Sequence, residues 1–206
     1  MEQNQIWTII LIVITVIMSF AGFKDRSFYN RHLLYPRVMN YGQEMHRMIT
    51  HGFIHADEPH LIFNMIALYS IGSFVEANFK FQGLGMLYPS MYLSGIVVAS
   101  LPSFFKHRNN PSYSALGASG GVSAVMFSMV YWAPWASFRI FYIIPMWSIL
   151  FAILYLVYSA YMAKQQRDNI GHDAHFWGGV YGFIFTFAFD PSHGAYFMQQ
   201  IMHPPF

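Results

Sequence analysis

Ser119 stands in the run LGASGGVSA (116–124), a cluster of small residues in a chain that is otherwise greasy and aromatic. A serine hydroxyl is a weak nucleophile until an adjacent base takes its proton. His175 is of the right type for that base, and Gly178 and Gly182 follow it at +3 and +7, on the same face of a helix. His60 and Asn64, one helical turn apart, form a second polar pair. With these residues together, the chemistry is acyl transfer. Ser119 attacks a carbonyl, His175 accepts the proton, and preorganised donors hold the oxyanion. The Ser119 backbone N–H and the side chains of Asn64 and His60 are the candidate donors.

A serine–imidazole hydrogen bond needs about 2.6–3.2 Å between heavy atoms. Two helices bring so short a side chain to an imidazole only where their backbones nearly touch. Gly117, Gly120 and Gly121 around Ser119, and Gly178 and Gly182 after His175, permit that approach. Ordinary tight packing asks for the same glycines, so the spacing allows the pair without proving it. Singly, each residue has a plainer reading. A serine in an apolar helix bonds back to a carbonyl one turn earlier. A histidine at a helix end sits in the membrane interface, and an asparagine glues helices together. Asp173, two residues before His175, points elsewhere on a helix and reads as a capping or interfacial residue.

The elements that must position these residues are membrane helices. The chain has 206 residues, 55% hydrophobic, 19% aromatic and 10% charged. Soluble domains carry about 25% charge, so there is too little here to coat a water-facing surface. The net charge of +2 is too weak to suggest nucleic acid as a partner. Without cysteine there is no disulfide, no thiol nucleophile and no cysteine-bound zinc. The first residues, MEQNQ, lack the basic region of a signal peptide, so the apolar run after them reads as a retained helix.

Hydropathy predicts six spans, at 6–22, 60–79, 83–104, 115–138, 140–163 and 173–189, helical because backbone groups in lipid must be satisfied internally. The expectation is one all-α membrane domain over 1–206, a six-helix bundle with a large loop at 23–59. That loop mixes five Lys and Arg and four histidines with Phe28, Tyr29, Leu33, Leu34 and Tyr35, and reads as interfacial, half buried among lipid headgroups. Six spans put the loops 23–59, 105–114 and 164–172 on one side. Ser119, His175, His60 and Asn64 then lie at similar depth near that side. Strongly polar groups inside a membrane are functional candidates by default.

These residues, in this order, resemble the rhomboid family of intramembrane serine proteases, over most of the chain. GASG (117–120) resembles the family's GxSG nucleophile motif. AHFWGGVYG (174–182) fits AHxxGxxxG, HLIFN (60–64) fits HxxxN, and HRMITHGFIHADEPH (46–60) resembles the stretch that leads into the second span. Glu76 matches a family acidic position. The resemblance implies a Ser119–His175 dyad without a third acid, an oxyanion site of His60, Asn64 and the Ser119 amide, and motif glycines at 117, 120, 178 and 182. It implies a water-filled cavity, a lateral gate near the fifth helix, and no metal or cofactor. The partners it implies are the lipid bilayer and single-pass or other transmembrane protein substrates, cut near the membrane surface.

Two positions depart from the family pattern. His46 stands where the family usually has Trp, and Ser123 where many members place an aromatic ring against the catalytic histidine. The resemblance also implies a bacterial inner membrane with the site opening to the extracytoplasmic side. Of eleven Lys and Arg, nine (Lys24, Arg26, Arg31, Arg37, Arg47, Lys106, Arg108, Lys164 and Arg167) lie on the side of the 23–59 loop. The positive-inside rule would put that side in the cytoplasm, and the family pattern is preferred to it here.

Three rival readings stand beside this one. A proteolytically inactive rhomboid-like protein would bind or escort membrane clients, but that class typically lacks the Ser or the His. A metal site could be sought in His46, His51, His55 and His60, yet HExxH is absent. A transporter would call for repeats and midplane charges, and only Glu76 is acidic within a span.

Overall fold

A computed structural model of the chain describes residues 5–39, 42–140, 144–165 and 172–205, without the side chains of 138–140, 144, 162–165 and 172. The first helix, α1 (Ile6–Lys24), is followed by short pieces α2 (Arg26–His32), α3 (Pro36–Met39) and α4 (Arg47–Thr50) and a 3-10 turn at His51–Phe53. Then come α5 (Glu58–Phe81), α6 (Leu87–His107), α7 (Ser119–Trp132), strands β1 (Ser137–Ile140) and β2 (Ile144–Trp147), and helices α8 (Ser148–Gln165), α9 (His172–Phe189) and α10 (His193–Met202).

The arrangement has an apolar outside. Every residue of α7 after Ser119 is buried, because α5, α6 and α9 surround it and α8 covers part of its length. The outer helices turn apolar side chains outward: Ile9, Val13 and Ile17 on α1, Ile62 and Ile66 on α5, Ile153 and Val157 on α8, Ile184 and Phe187 on α9. A water-soluble bundle shows polar residues there. By length and composition, Ile6–Lys24 and Glu58–Phe81 suffice to cross a membrane.

Local chemistry sets the helix ends. Asp57 accepts the His60 N–H at 2.8 Å and caps α5, with Pro59 in its first turn. Glu76, deep in α5, caps a different helix. Its carboxylate accepts the N–H groups of Trp7 and Thr8 at 3.0 and 2.9 Å and the Thr8 hydroxyl at 2.8 Å, and pairs with Lys80 at 2.6 Å. Orphan N–H groups at the start of α1 thereby meet a negative charge. Arg47, buried at the start of α4, donates to the carbonyls of Asn30 and Leu33 and to the Glu44 carboxylate, which ties the 23–59 loop to itself. His46 adds a contact at 3.4 Å to the Arg31 carbonyl, so the loop is anchored there without a Trp.

The structure corrects several sequence-based boundaries. The expected span 115–138 is helical only over Ser119–Trp132. Before it, Leu34 and Ala115 exchange both backbone hydrogen bonds and the Gly117 N–H donates to the His51 carbonyl, which holds 115–117 out of a helix. Gly117 has φ +111°, a left-handed conformation that a helix cannot continue through. After it, Pro134 ends the helix, and β1 pairs antiparallel with β2 in the register Ser137↔Trp147 to Ile140↔Ile144. An all-α fold is therefore wrong at 137–140 and 144–147, and the expected helix 140–163 begins at Ser148. The Ser148 hydroxyl fastens that start to the carbonyls of Ala133 and Pro134. Hydropathy gives an apolar strand the weight of an apolar helix, and Pro145 suits a two-stranded ribbon better than a helix interior. The amphipathic α10 was outside the sequence expectation altogether. Residues 166–171 of the expected 164–172 loop lie outside the described residues.

Three contacts put the polar helix ends together. Leu34 pairs with Ala115, the Tyr35 hydroxyl donates to the Pro111 carbonyl at 2.6 Å, and Lys106 at the end of α6 lies 3.9 Å from Asp173 at the start of α9. The long loop, the α6–α7 connection and the start of α9 share one end of the bundle.

Candidate active site

Ser119 is the first residue of α7, and its N–H is among the donors that a helix start leaves without intrahelical partners. It is partly exposed, between buried Ala118 and Gly120. Together with Leu116, Gly117, Ser100, Ser103, His51 and Ala174, it lines a cavity of about 20 Å³. A cavity of that size has room for a water molecule.

The helix that carries His175 meets α7 backbone to backbone. A Cβ on Gly178 would fall on the carbonyl of Gly120, and one on Gly182 on the backbone of Ala124. Gly120 follows Ser119 and Gly178 lies one turn beyond His175, so this contact carries both residues to one place. Ala174, adjoining His175, lines the same cavity as Ser119. Thr186, further along α9, lies 2.7 Å from Ser128 of α7 and continues the seam.

His60 enters from α5. A Cβ built on Gly117 would lie 3.2 Å from His60 Nε2 and 4.0 Å from Ser119 Oγ, so the imidazole and the hydroxyl flank one space. That space is kept open by the absence of a side chain at 117. Asn64 is buried one turn below, and its amide nitrogen donates to the His60 carbonyl at 3.0 Å. One of its two amide hydrogens serves that bond. Asp173 lies 3.9 Å from the Lys106 ammonium.

Two groups in this region carry no signal in the spacing of the motifs. The first is His55, fully buried between α1 and the strand-like run before Ser119. The Ala118 N–H points at His55 Nε2 at 3.3 Å, and His55 Nδ1 lies 2.9 Å from Ser19 Oγ, which donates to the Phe53 carbonyl at 3.1 Å. An amide N–H can only donate, so Nε2 accepts and the ring proton is on Nδ1. Burial lowers the His55 pKa to about 3, and the neighbouring His60 adds to the effect. His51 is buried likewise, its Nδ1–H donating to the Arg47 carbonyl at 2.7 Å. Desolvation lowers its pKa to about 4 against a small opposing effect of that bond. Both rings are neutral at pH 7 and serve the loop as hydrogen-bonding groups. The second group is Tyr155 of α8, whose ring lies on His175 with centroids 5.4 Å apart and planes inclined by 19°. Trp177, next in sequence but one, turns outward, and Phe176 meets it edge-on.

Comparison with known proteins bears on the whole arrangement. A family model described as Rhomboid domain matches residues 42–191. The chain is 29% identical over 147 residues to RHOMBOID-like protein 12, mitochondrial, of Arabidopsis thaliana, covering 66% of this chain and 44% of that one. It is 30% identical over 128 residues to Rhomboid protease GlpG of Haemophilus influenzae, covering 61% of each. Identity to RHOMBOID-like protein 1 of Arabidopsis thaliana is 29% over 161 residues, 76% of this chain and 38% of that protein. The matches span less than two thirds of the length of these relatives.

Proposed function

The chain belongs to the rhomboid family of integral membrane proteins, and from that premise we propose that it is an intramembrane serine endopeptidase. It cleaves transmembrane segments of other membrane proteins with a Ser119–His175 dyad. The reading is carried by the seam of Gly120 against Gly178, which joins the turn after Ser119 to the turn after His175.

The proposed reaction runs in two halves. Ser119 Oγ attacks the scissile carbonyl carbon while its proton passes to the His175 ring. The oxyanion is held by the Ser119 N–H, the Asn64 amide and His60. Collapse breaks the C–N bond, and His175 returns the proton to the departing amine. Water from the cavity beside Ser119 then attacks the acyl-enzyme carbonyl, giving its proton to His175; the ester C–O bond breaks and His175 passes that proton to Ser119 Oγ. No third acid and no cofactor takes part.

We read the bundle, from α1 to α9, as one membrane domain of six passes, with the 23–59 loop in the interface. The 14 residues of α7 are about 21 Å long, shorter than the roughly 30 Å of a hydrocarbon core. Its first residue then lies below the membrane surface. Irregular backbone such as 112–118 is tolerated at that depth where protein buries it or water lines it. The proposed location is a bacterial inner membrane, with the site opening to the extracytoplasmic side.

The deciding experiment is labelling of purified protein with a serine-directed fluorophosphonate, paired with cleavage of a single-pass substrate in liposomes. Ser119→Ala and His175→Ala abolish both in a folded protein. Asn64→Ala lowers turnover by about 10²–10³-fold, the usual loss for one oxyanion donor. Cleavage retained in Ser119→Ala sinks the mechanism. A wild type that binds single-pass proteins yet takes up no label is instead a client-binding relative.

A further inference from the structure

Asp173, the acid nearest to His175 in sequence, lies 3.9 Å from Lys106. Position 123, one turn after Ser119, is a serine. That small side chain leaves room for a ring from another helix. Tyr155 of α8 fills the place, lying face to face with His175. Its hydroxyl is 2.8 Å from Ser123 Oγ, and Ser123 is wholly buried. The phenol also stacks on Phe151, with centroids 5.9 Å apart at 23°.

We propose that Tyr155 is a positioning residue for His175, anchored to the nucleophile's own helix by its hydrogen bond to Ser123. The contacts link three helices. Ser119 and Ser123 share a face of α7, Tyr155 comes from α8, and His175 from α9. Stacking fixes the rotation of the imidazole about its Cβ–Cγ bond, which otherwise swings the ring nitrogens away from the Ser119 hydroxyl. The hydroxyl bond stops the phenol from sliding along the ring it supports. A buried phenol needs a hydrogen-bond partner, and Ser123 supplies it at the one spot that refers the ring to Ser119. Geometry of this kind weighs on rate: a misplacement near 1 Å costs about 10²-fold.

The inference rests on His175 as the base, and the test separates the two. Tyr155→Leu, Tyr155→Phe, Ser123→Ala and the double variants Tyr155→Phe/Ser123→Ala and Ser123→Tyr/Tyr155→Leu are compared with wild type for kcat, KM, fluorophosphonate rate and thermal midpoint. Tyr155→Leu lowers kcat and the labelling rate by about 10²-fold with KM within about twofold. Tyr155→Phe, which keeps the ring, recovers most of that. Tyr155→Phe and Ser123→Ala are equal and non-additive, since they break one shared bond. Ser123→Tyr/Tyr155→Leu, which offers a ring from α7, turns over faster than Tyr155→Leu alone. If wild type takes up no label at Ser119, the protease reading fails and the stack has no catalytic meaning. If wild type reacts and Tyr155→Leu keeps its kcat, or if Leu and Phe lose activity only in step with stability, this inference alone is overturned. Should Tyr155→Leu fail to fold, additive losses in Tyr155→Phe and Ser123→Ala overturn it.

Discussion

The backbone N–H of Ala118 donates to the imidazole of His55 at 3.3 Å, across 63 residues of sequence. The peptide that precedes Ser119 therefore hangs on a side chain from another part of the fold. Replacing His55 by Phe leaves that N–H buried without an acceptor, at a cost of about 1–3 kcal/mol. The expected outcome is a lower thermal midpoint together with loss of cleavage beyond what the unfolded fraction explains. His55→Gln, whose side-chain oxygen can accept, recovers part of both. Cleavage that falls only in proportion to the folded fraction separates the ring from the placement of Ser119.

Stability should fall on mild acidification. His51 and His55 are held neutral by burial, with pKa values of about 4 and about 3 against an ordinary 6.5. Between those values and 6.5 the unfolded chain binds protons that the folded chain refuses. Stability is full above pH 6.5 and declines as pH falls from there towards 4 and then 3. Each ring contributes a slope of up to about 1.4 kcal/mol per pH unit. Thermal midpoints in detergent at pH 8, 6 and 5 read the effect. His51→Gln flattens the profile below pH 6.5, and an unchanged profile refutes this assignment.

Neighbouring glycines on α9 should respond differently. A methyl at Gly178 or Gly182 meets backbone atoms of Gly120 or Ala124, which cannot yield without moving α7. One at Gly179 meets the Phe127 ring, a side chain that can turn. Gly178→Ala and Gly182→Ala are expected to lose about 1–3 kcal/mol through overpacking and to lose labelling of Ser119, while Gly179→Ala costs less. Equal behaviour of all three in unfolding and labelling assays would show the seam to be softer than drawn.

Because the natural sequence has no cysteine, membrane orientation can be read without background. Asn109, exposed in the loop between α6 and α7, shares the bundle end with Ser119 and His175. Asn109→Cys is expected to react with a membrane-impermeant maleimide in intact bacterial cells, and Gly83→Cys, at the opposite end of α5, only after lysis. The reverse pattern means that the nine basic residues obey the positive-inside rule and that the site opens inward.

The sequence is most legible where chemistry forces a residue type. Ser119, His175, His60 and Asn64 stand out because polar groups are costly in an apolar chain. Gly120 and Gly178 stand out because two helix backbones can meet only where no larger side chain stands between them. The apolar runs announce helices, yet their ends are set by features hydropathy does not weigh. Gly117 turns left-handed, Leu34 draws Ala115 into a bridge, and Ser148 fastens a new helix to the end of an old one. Tyr155 is the least legible. One tyrosine among many in an aromatic chain has no local mark, and its partnership with Ser123 and His175 exists only once α7, α8 and α9 are packed.

The match to the family model starts at residue 42, yet the first helix is wired into the core of the bundle. Thr8 delivers its N–H and hydroxyl to Glu76, and Ser19 receives the proton of the imidazole that steadies Ala118. A fragment cut at the similarity boundary strips a buried carboxylate and a buried imidazole of their partners together. Chimeras that exchange the first helix between relatives must therefore carry positions 8, 19, 55 and 76 as a set. The exchangeable module is defined by two hydrogen-bonded clusters rather than by the edges of a sequence match.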